Sequence, residues 1–390
     1  MKTPFIKSLF LVIFFILSLS FVPIKNPRLE LIKKEKINPN DKSILKDASL
    51  EFIDALEGNG YHGSMLLYKE GNEFIRKNFG YSNINKKEKL NSNSVFPLDS
   101  STKHITAFLI YNLYKTNQLK YDERLGDIFQ ELNKTGLSDI TVGELVNHRS
   151  GLARYPSVSS IISGIFVRGD NSKSATPSYL QKTKMYSSKK GQFNYSETGF
   201  VFLKLIIEKY TGKSYENVLK EQVFEPADMR NSSVYKGYPG FKVNGYLLAT
   251  PFFSQKTKYI NIPYLNFSRF KGAYGVNTTA NDMIKWFTYL HNNHKTFLDF
   301  TQSAYTDKVK YSNGLNFSKY SSNSSFYSHH GYEPGYFSGF SFADNNDFIY
   351  IMFSNTTPIF IDRKKSYNPN SEFVNLITGK DYRLLINKTK

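Results

Sequence analysis

The 390 residues, 40% apolar and 16% aromatic, suffice for one large domain or two ordinary ones with a sizeable core, which excludes a disordered chain. The absence of cysteine excludes a disulfide framework, a thiolate zinc site, a cysteine nucleophile and a lipid-modified N-terminal cysteine. A balance of 51 Lys and Arg against 33 Asp and Glu, net +18, suits a polyanionic partner: nucleic acid, phospholipid headgroups or an acidic polymer.

Lys2 and Lys7 precede an apolar run from Leu9 to Leu17 that ends in Ser18-Leu19-Ser20, the pattern of a secretory signal or N-terminal anchor over residues 1–22. The run is short of the ~20 apolar residues of a spanning helix. An exported chain meets little nucleic acid, and none of the usual nucleic-acid-binding motifs is present, so that class of partner is set aside. Residues 23–46 are rich in lysine and carry Pro27 and Pro39, and read as a basic linker before a folded region over 47–390.

Ala48, Leu50, Ile53 and Leu56 predict a helix ending at Gly58, and Ser64–Tyr68 with Glu73–Asn78 a hairpin turned at Glu70-Gly71-Asn72. Gly58-Asn59-Gly60-Tyr61-His62-Gly63 matches the dinucleotide fingerprint G-x-G-x-x-G, but that motif needs a strand before it and a helix after it. Here the order is reversed, so it reads as a turn. A second aromatic-rich hairpin is expected from Tyr336–Phe342 and Phe348–Phe353, and the periodicity between the two hairpins is mostly helical. Terminal strands with helices between them predict an α+β fold: an antiparallel sheet built from both ends of the chain, flanked by helices, with a mostly helical middle.

The segment Asp99-Ser100-Ser101-Thr102-Lys103 leads into the apolar series Ile105, Phe108, Leu109, Tyr111 and Leu113. If Ser100 opens that helix, Lys103 lies one turn on and its ammonium can fold back to the hydroxyl. A serine becomes nucleophilic when a neighbour takes its proton, and burial near a helix N-terminus lowers a lysine enough to do so. The backbone N–H of Ser100 also faces a developing oxyanion. Ser43/Lys46 and Ser187/Lys190 have the same spacing, and an N-capping serine would look alike.

Further segments follow in a set order: Ile140-Thr141-Val142 leading to Asn147-His148-Arg149-Ser150-Gly151-Leu152; Tyr195-Ser196-Glu197-Thr198-Gly199-Phe200; Val223–Met229; Gly272–Met283; His329-His330-Gly331 with Gly335; and Phe353-Ser354-Asn355. Together with Ser100–Lys103 they resemble the serine β-lactamase and penicillin-binding-protein superfamily, in its class C-related branch of DD-peptidases and esterases, over roughly Ala48 to Pro358. The resemblance implies a β-lactamase/transpeptidase-like fold and an exported serine hydrolase with no cofactor. Its acyl-enzyme would form on Ser100, with Lys103 and Tyr195 moving protons and the N–H groups of Ser100 and Tyr332 holding the oxyanion. Glu197, His329 and Gly331 would contact substrate: a D-peptide or peptidoglycan fragment, a β-lactam or a carboxylic ester. Membrane association would be peripheral or through the N-terminal segment.

Two literal Tyr-x-Asn matches, Tyr81-Ser82-Asn83 and Tyr311-Ser312-Asn313, do not stand at the family position; Tyr195 does, before the helical stripe Phe200, Leu203, Ile206 and Ile207. There Glu197 replaces the family's Asn. A carboxylate at that place is expected to raise the Lys103 pKa and repel an anionic substrate. A phenol beside Lys103 is expected to lean toward phenolate, and His329 to bind a carboxylate when protonated. His148 reads as a loop brace, Thr279 with Asp282 as a helix N-cap, and His291 with His294 as helix residues rather than metal ligands. The stretches Ala153–Gln192 and Val234–Lys271 contain no recognised chemistry and read as substrate-selecting walls. A second function class stays open: a non-catalytic relative that binds cell-wall peptides or a protein partner.

Overall fold

A computed structural model describes residues 29–155, 176–234, 245–249, 258–262, 270–305, 310–322, 324–333, 335–358 and 367–387. The signal or anchor read at 1–22 lies outside the described residues, as do 156–175 and much of 235–269.

The central element is a seven-stranded antiparallel sheet. Its strands are β2 (Gly63–Lys69), β3 (Asn72–Phe79), β4 (Tyr311–Ser312), β5 (Leu315–Lys319), β6 (Ser325–Glu333), β7 (Tyr336–Ala343) and β8 (Phe348–Ser354). The spatial order is β4-β5-β6-β7-β8-β2-β3, so the hairpins from the two ends of the chain meet where β8 pairs with β2 in the register Ile351↔Leu66. The expected α+β layout is therefore observed, with both hairpins in place.

Alternation along β8 explains how the sheet sits between two apolar layers. Ile349, Ile351 and Phe353 face the larger core, which includes Phe108, Phe200, Trp286 and Phe287 from the helical side. Phe348, Tyr350 and Met352 face the smaller core, with Phe52, Ile53, Phe373 and Leu384. Helix α1 (Lys42–Gly58) covers that second face; Asp41 caps it by accepting from the Ser43 and Ile44 N–H groups at 3.1 Å. Gly58-Asn59-Gly60-Tyr61-His62-Gly63 indeed runs from this helix into β2.

The stretch 23–46 departs from the linker expectation. Leu29–Lys34 forms β1, paired antiparallel with β9 (Tyr382–Asn387) from Leu29↔Asn387 to Lys34↔Tyr382, and α1 begins at Lys42. Its charged residues hid the strand, because Lys33 and Lys34 reach Asp381 and Glu51 at 2.6 and 2.7 Å rather than solvent alone.

On the opposite face of the sheet, α2 (Lys103–Lys115) is enclosed by core, with Ile105, Phe108, Leu109 and Ile110 all buried. It packs on α4 (Glu197–Thr211), against which α3 (Val142–Val146) also lies; Phe200, Leu203, Ile206 and Ile207 of α4 form the predicted stripe and its end is capped by Gly212 at φ +65°. Trp286, from α5 (Ala280–Asn293), donates to His104 Nε2 at 2.8 Å while His104 Nδ1 meets the Ser101 carbonyl. This network requires the Nδ1–H tautomer, and burial lowers the His104 pKa to about 3, so a neutral imidazole ties the start of α2 to the core. Thr279 caps α5 as expected, accepting from the Asp282 N–H at 3.1 Å. Among the described residues no helix is long and apolar enough to cross a membrane, and no group of three or more His, Asp or Glu could hold a metal.

Candidate active site

Ser100 sits in the tight turn Asp99–Thr102 that leads into α2, 8% exposed at the floor of the site. Lys103 follows one turn later with Nζ 3.2 Å from Ser100 Oγ and 3.0 Å from the Ala273 carbonyl. The side chain of Lys103 is fully buried, in an ion pair with Glu197 Oε2. Burial lowers its pKa to about 8 against the opposing pull of Glu197. The expected effect of Glu197 is thus present, but desolvation is the larger effect.

Glu197 is the first residue of α4 and is itself fully buried. Its Oε1 accepts from the Tyr274 hydroxyl at 2.9 Å and from Arg154 Nη2 at 3.3 Å. Ser196, the N-cap, accepts from the Gly199 N–H at 3.2 Å and donates to the Ala153 carbonyl at 2.9 Å. The Arg154 carbonyl receives the Glu197 and Thr198 N–H groups at 2.9 and 3.1 Å. The 153–154 backbone and the start of α4 therefore lock each other in place. Arg154 and Tyr155 come from a stretch that reads in sequence as chemically silent, and no motif or spacing marks them.

Tyr195 precedes the N-cap. Its ring centroid is 5.0 Å from Lys103 Nζ and 4.2 Å from the His148 ring. Burial and Glu197 hold its pKa well above 10, while the nearby Ser100 and Arg154 act the other way. This corrects the phenolate expectation: the low dielectric and the Glu197 carboxylate outweigh the Arg154 cation, and the phenol stays neutral at ordinary pH. His148 braces the site more closely than expected, accepting the Ser196 N–H at 3.1 Å through Nδ1 while packing against Tyr195 and Phe200.

On β6, His329, Gly331 and Glu333 are buried and His330 and Tyr332 exposed, as strand alternation requires. His329 does not become the expected cation. Burial pushes its pKa well below 6.5, its Nδ1 meets the His330 carbonyl at 2.9 Å, and its Nε2 meets the Tyr311 hydroxyl at 3.4 Å. Tyr311 belongs to a Tyr-x-Asn match that fails as the family motif, yet it lies against the site, its ring 5.0 Å from that of His148. Tyr81 does not; it lies in a separate small hairpin under Lys89. Tyr332 pairs with Phe337, with its side chain 41% exposed.

Gly331 has no room for a side chain. A Cβ there would stand 2.5 Å from the Leu98 carbonyl oxygen and 2.6 Å from both Asp99 Cβ and Ser338 Oγ. This close approach presses β6 against the turn carrying Ser100. Asp99, at φ +48°, and Glu333 are both buried there and interact with each other. Burial raises the Asp99 pKa to about 7, and burial together with Asp99 raises Glu333 well above 4.5, so the pair retains protons that isolated carboxylates would lose. The signal for this pair was strand alternation, which puts Glu333 on the face of Gly331.

A serine–lysine turn entering a buried helix, a tyrosine at the head of a second helix and a His-x-Gly strand beside a sheet made from both chain ends define the β-lactamase/transpeptidase fold class. A family model described as Beta-lactamase matches residues 53–368, and the chain belongs to that family. Among curated relatives, Penicillin-binding protein 4* of Bacillus subtilis (strain 168) is 31% identical over 185 residues, 46% of this chain and 39% of that protein. This match thus spans about two fifths of that relative's length. Teichoic acid D-alanine hydrolase of Staphylococcus aureus is 24% identical over 210 residues, 53% of this chain and 50% of that protein. Two solved structures share the fold: FmtA from Staphylococcus aureus, TM-score 0.66 at 20% identity over 95% of both chains, and D-amino acid amidase from Ochrobactrum anthropi SV3 with D-phenylalanine, TM-score 0.65 at 21% identity over 87% of this chain and 97% of that one.

Proposed function

We propose that this chain is an exported serine hydrolase that opens an ester or amide through an acyl-enzyme on Ser100. The observation that carries this is Lys103 Nζ at 3.2 Å from Ser100 Oγ, inside a buried site that brings the lysine down to about 8. Neutral Lys103 takes the Ser100 proton as Oγ attacks the carbonyl, and the oxyanion is held by the N–H groups of Ser100 and Tyr332. As the carbonyl–leaving-group bond breaks, the Tyr195 hydroxyl donates to the leaving oxygen or nitrogen and regains a proton from Lys103. Water then repeats the sequence on the acyl-enzyme, releasing the acid. His329 and Gly331 shape the wall beside the reacting carbonyl, and Glu197 sets the charge of Lys103.

Relatives whose names specify a teichoic acid D-alanine hydrolase and a D-amino acid amidase favour D-aminoacyl esters or amides of the cell envelope as the substrate class. The +18 charge favours an anionic wall polymer as carrier, and the Lys2, Lys7 and Leu9–Leu17 pattern favours export. A fluorophosphonate probe should label the folded protein, and Ser100→Ala should abolish labelling without changing thermal unfolding. Folded wild type that resists the probe would overturn the reading in favour of a non-catalytic wall-binding relative.

A further inference from the structure

Glu197 is shared by two basic side chains, Lys103, which carries the proton chemistry, and Arg154, which that chemistry does not use. Lys103 is fully buried and committed to Ser100, Glu197 and the Ala273 carbonyl. Arg154 differs: its side chain is 51% exposed, whereas that of Glu197 is 0% exposed. Of its five N–H donors, Nη2 meets Glu197 at 3.3 Å, and the guanidinium carbon lies 5.5 Å from the ring centroids of both Tyr155 and Tyr195. Two aromatic walls, one of them Tyr195, and a backbone clamped to the start of α4 hold this guanidinium beside the buried Lys103–Glu197 pair. His329, the other candidate cation, is buried with its Nε2 3.4 Å from the Tyr311 hydroxyl, and burial disfavours its charged form.

We propose that Arg154 is the anion-binding subsite of this enzyme, receiving a carboxylate or phosphate oxygen pair of the substrate through the outward edge of its guanidinium. The inference rests on the hydrolase reading above and names its substrate class: esters or amides carrying a negative charge close to the scissile carbonyl. Glu197 then acts not as a barrier to anions but as the inner partner that orients Arg154 outward. A planar fork suits either oxyanion, and a lysine at this place would supply the charge without the paired geometry.

The test uses three esters of one acyl group: a neutral one, one with a carboxylate on the alcohol and one with a phosphate. Wild type should prefer a charged ester over the neutral one, the favoured arm identifying the anion, and the preference should flatten as salt rises. Arg154→Gln should lower the charged-to-neutral ratio of kcat/KM at least about tenfold, mainly through KM, and Arg154→Lys should recover part of it. Using the ratio removes any general effect of the substitution on Lys103. Calorimetry on the Ser100→Ala protein provides a readout without turnover: the favoured charged ester should bind at least about tenfold tighter than when Arg154→Gln is added. A wild-type ratio near one, or equal binding by the two proteins, would overturn the subsite. Absence of turnover with binding intact would overturn the hydrolase reading and leave the subsite standing.

Discussion

Replacing Glu197 by Gln keeps the shape of the side chain and removes the charge beside Lys103. In the folded protein burial pushes the lysine down to about 8 and Glu197 pulls it up. An opposite charge at such range typically moves a pKa by about 1–3 units, so its removal should bring Lys103 to about 5–7. The sign follows directly: with less to stabilise the ammonium, the neutral base persists to lower pH. At pH 7 a lysine of pKa about 8 is neutral in roughly one molecule in ten, and one of pKa about 7 in half, so kcat/KM there should rise roughly fivefold. On the alkaline plateau the two proteins should differ little through this cause. Removing one member of a buried ion pair costs about 3–5 kcal/mol when the other must stay charged, but here Lys103 can shed its proton, so the loss in thermal stability at pH 8 should be smaller than that. The assay is a pH series of kcat/KM on a neutral ester, with melting temperature measured at each pH. An inflection that stays at about 8 or moves up in a stable protein would refute the reasoning. A uniform loss of rate at every pH would mean that Glu197 itself handles a proton.

Asp99→Asn should flatten the pH dependence of stability. The native pKa of about 7 lies above the ordinary value of about 3.9, so native Asp99 keeps a proton that the unfolded chain loses. Its stabilising contribution is therefore complete below about pH 4, declines as pH rises and is gone above about 7, on the order of 4 kcal/mol as an upper bound. Thermal unfolding between pH 4 and 8 checks this, and an unchanged slope in the variant would contradict the assignment. Gly331→Ala forces β6 off the Leu98–Asp99 turn by the contacts of 2.5–2.6 Å that its Cβ would make. Overpacking of this kind costs about 1–3 kcal/mol, so the protein should remain folded by circular dichroism but lose most fluorophosphonate labelling.

Much of this architecture is legible in the sequence because it rests on local rules. The short apolar runs at Gly63–Lys69 and Phe348–Ser354, buried on both faces, mark central strands, the stripe from Phe200 to Ile207 marks a buried helix face, and the Ser100–Lys103 spacing places the two side chains within reach. The strand Leu29–Lys34 was hidden because its pairing with Tyr382–Asn387 is a contact between opposite ends of the chain. Local composition carries no trace of such a partner. Arg154 was missed for a similar reason: its position depends on its own carbonyl receiving the first N–H groups of α4. The charge states were the least accessible part. Residue identity gives the partners of Lys103, Tyr195 and His329, but burial decided all three directions, and burial belongs to the assembled site.

The meeting of β2 with β8, and of β1 with β9, bears on the order in which this protein assembles. Neither junction can form until the C-terminal third of the chain has emerged, because Ile351 must reach Leu66 and Asn387 must reach Leu29. Contacts so distant in sequence must first overcome the entropy of closing a long loop, which slows folding. A growing chain thus carries β2 with the edge that receives β8 unpaired through most of synthesis, even though α1 is already there to cover Met65 and Leu67. The central sheet therefore closes late, only when β6, β7 and β8 have emerged to bridge β5 and β2.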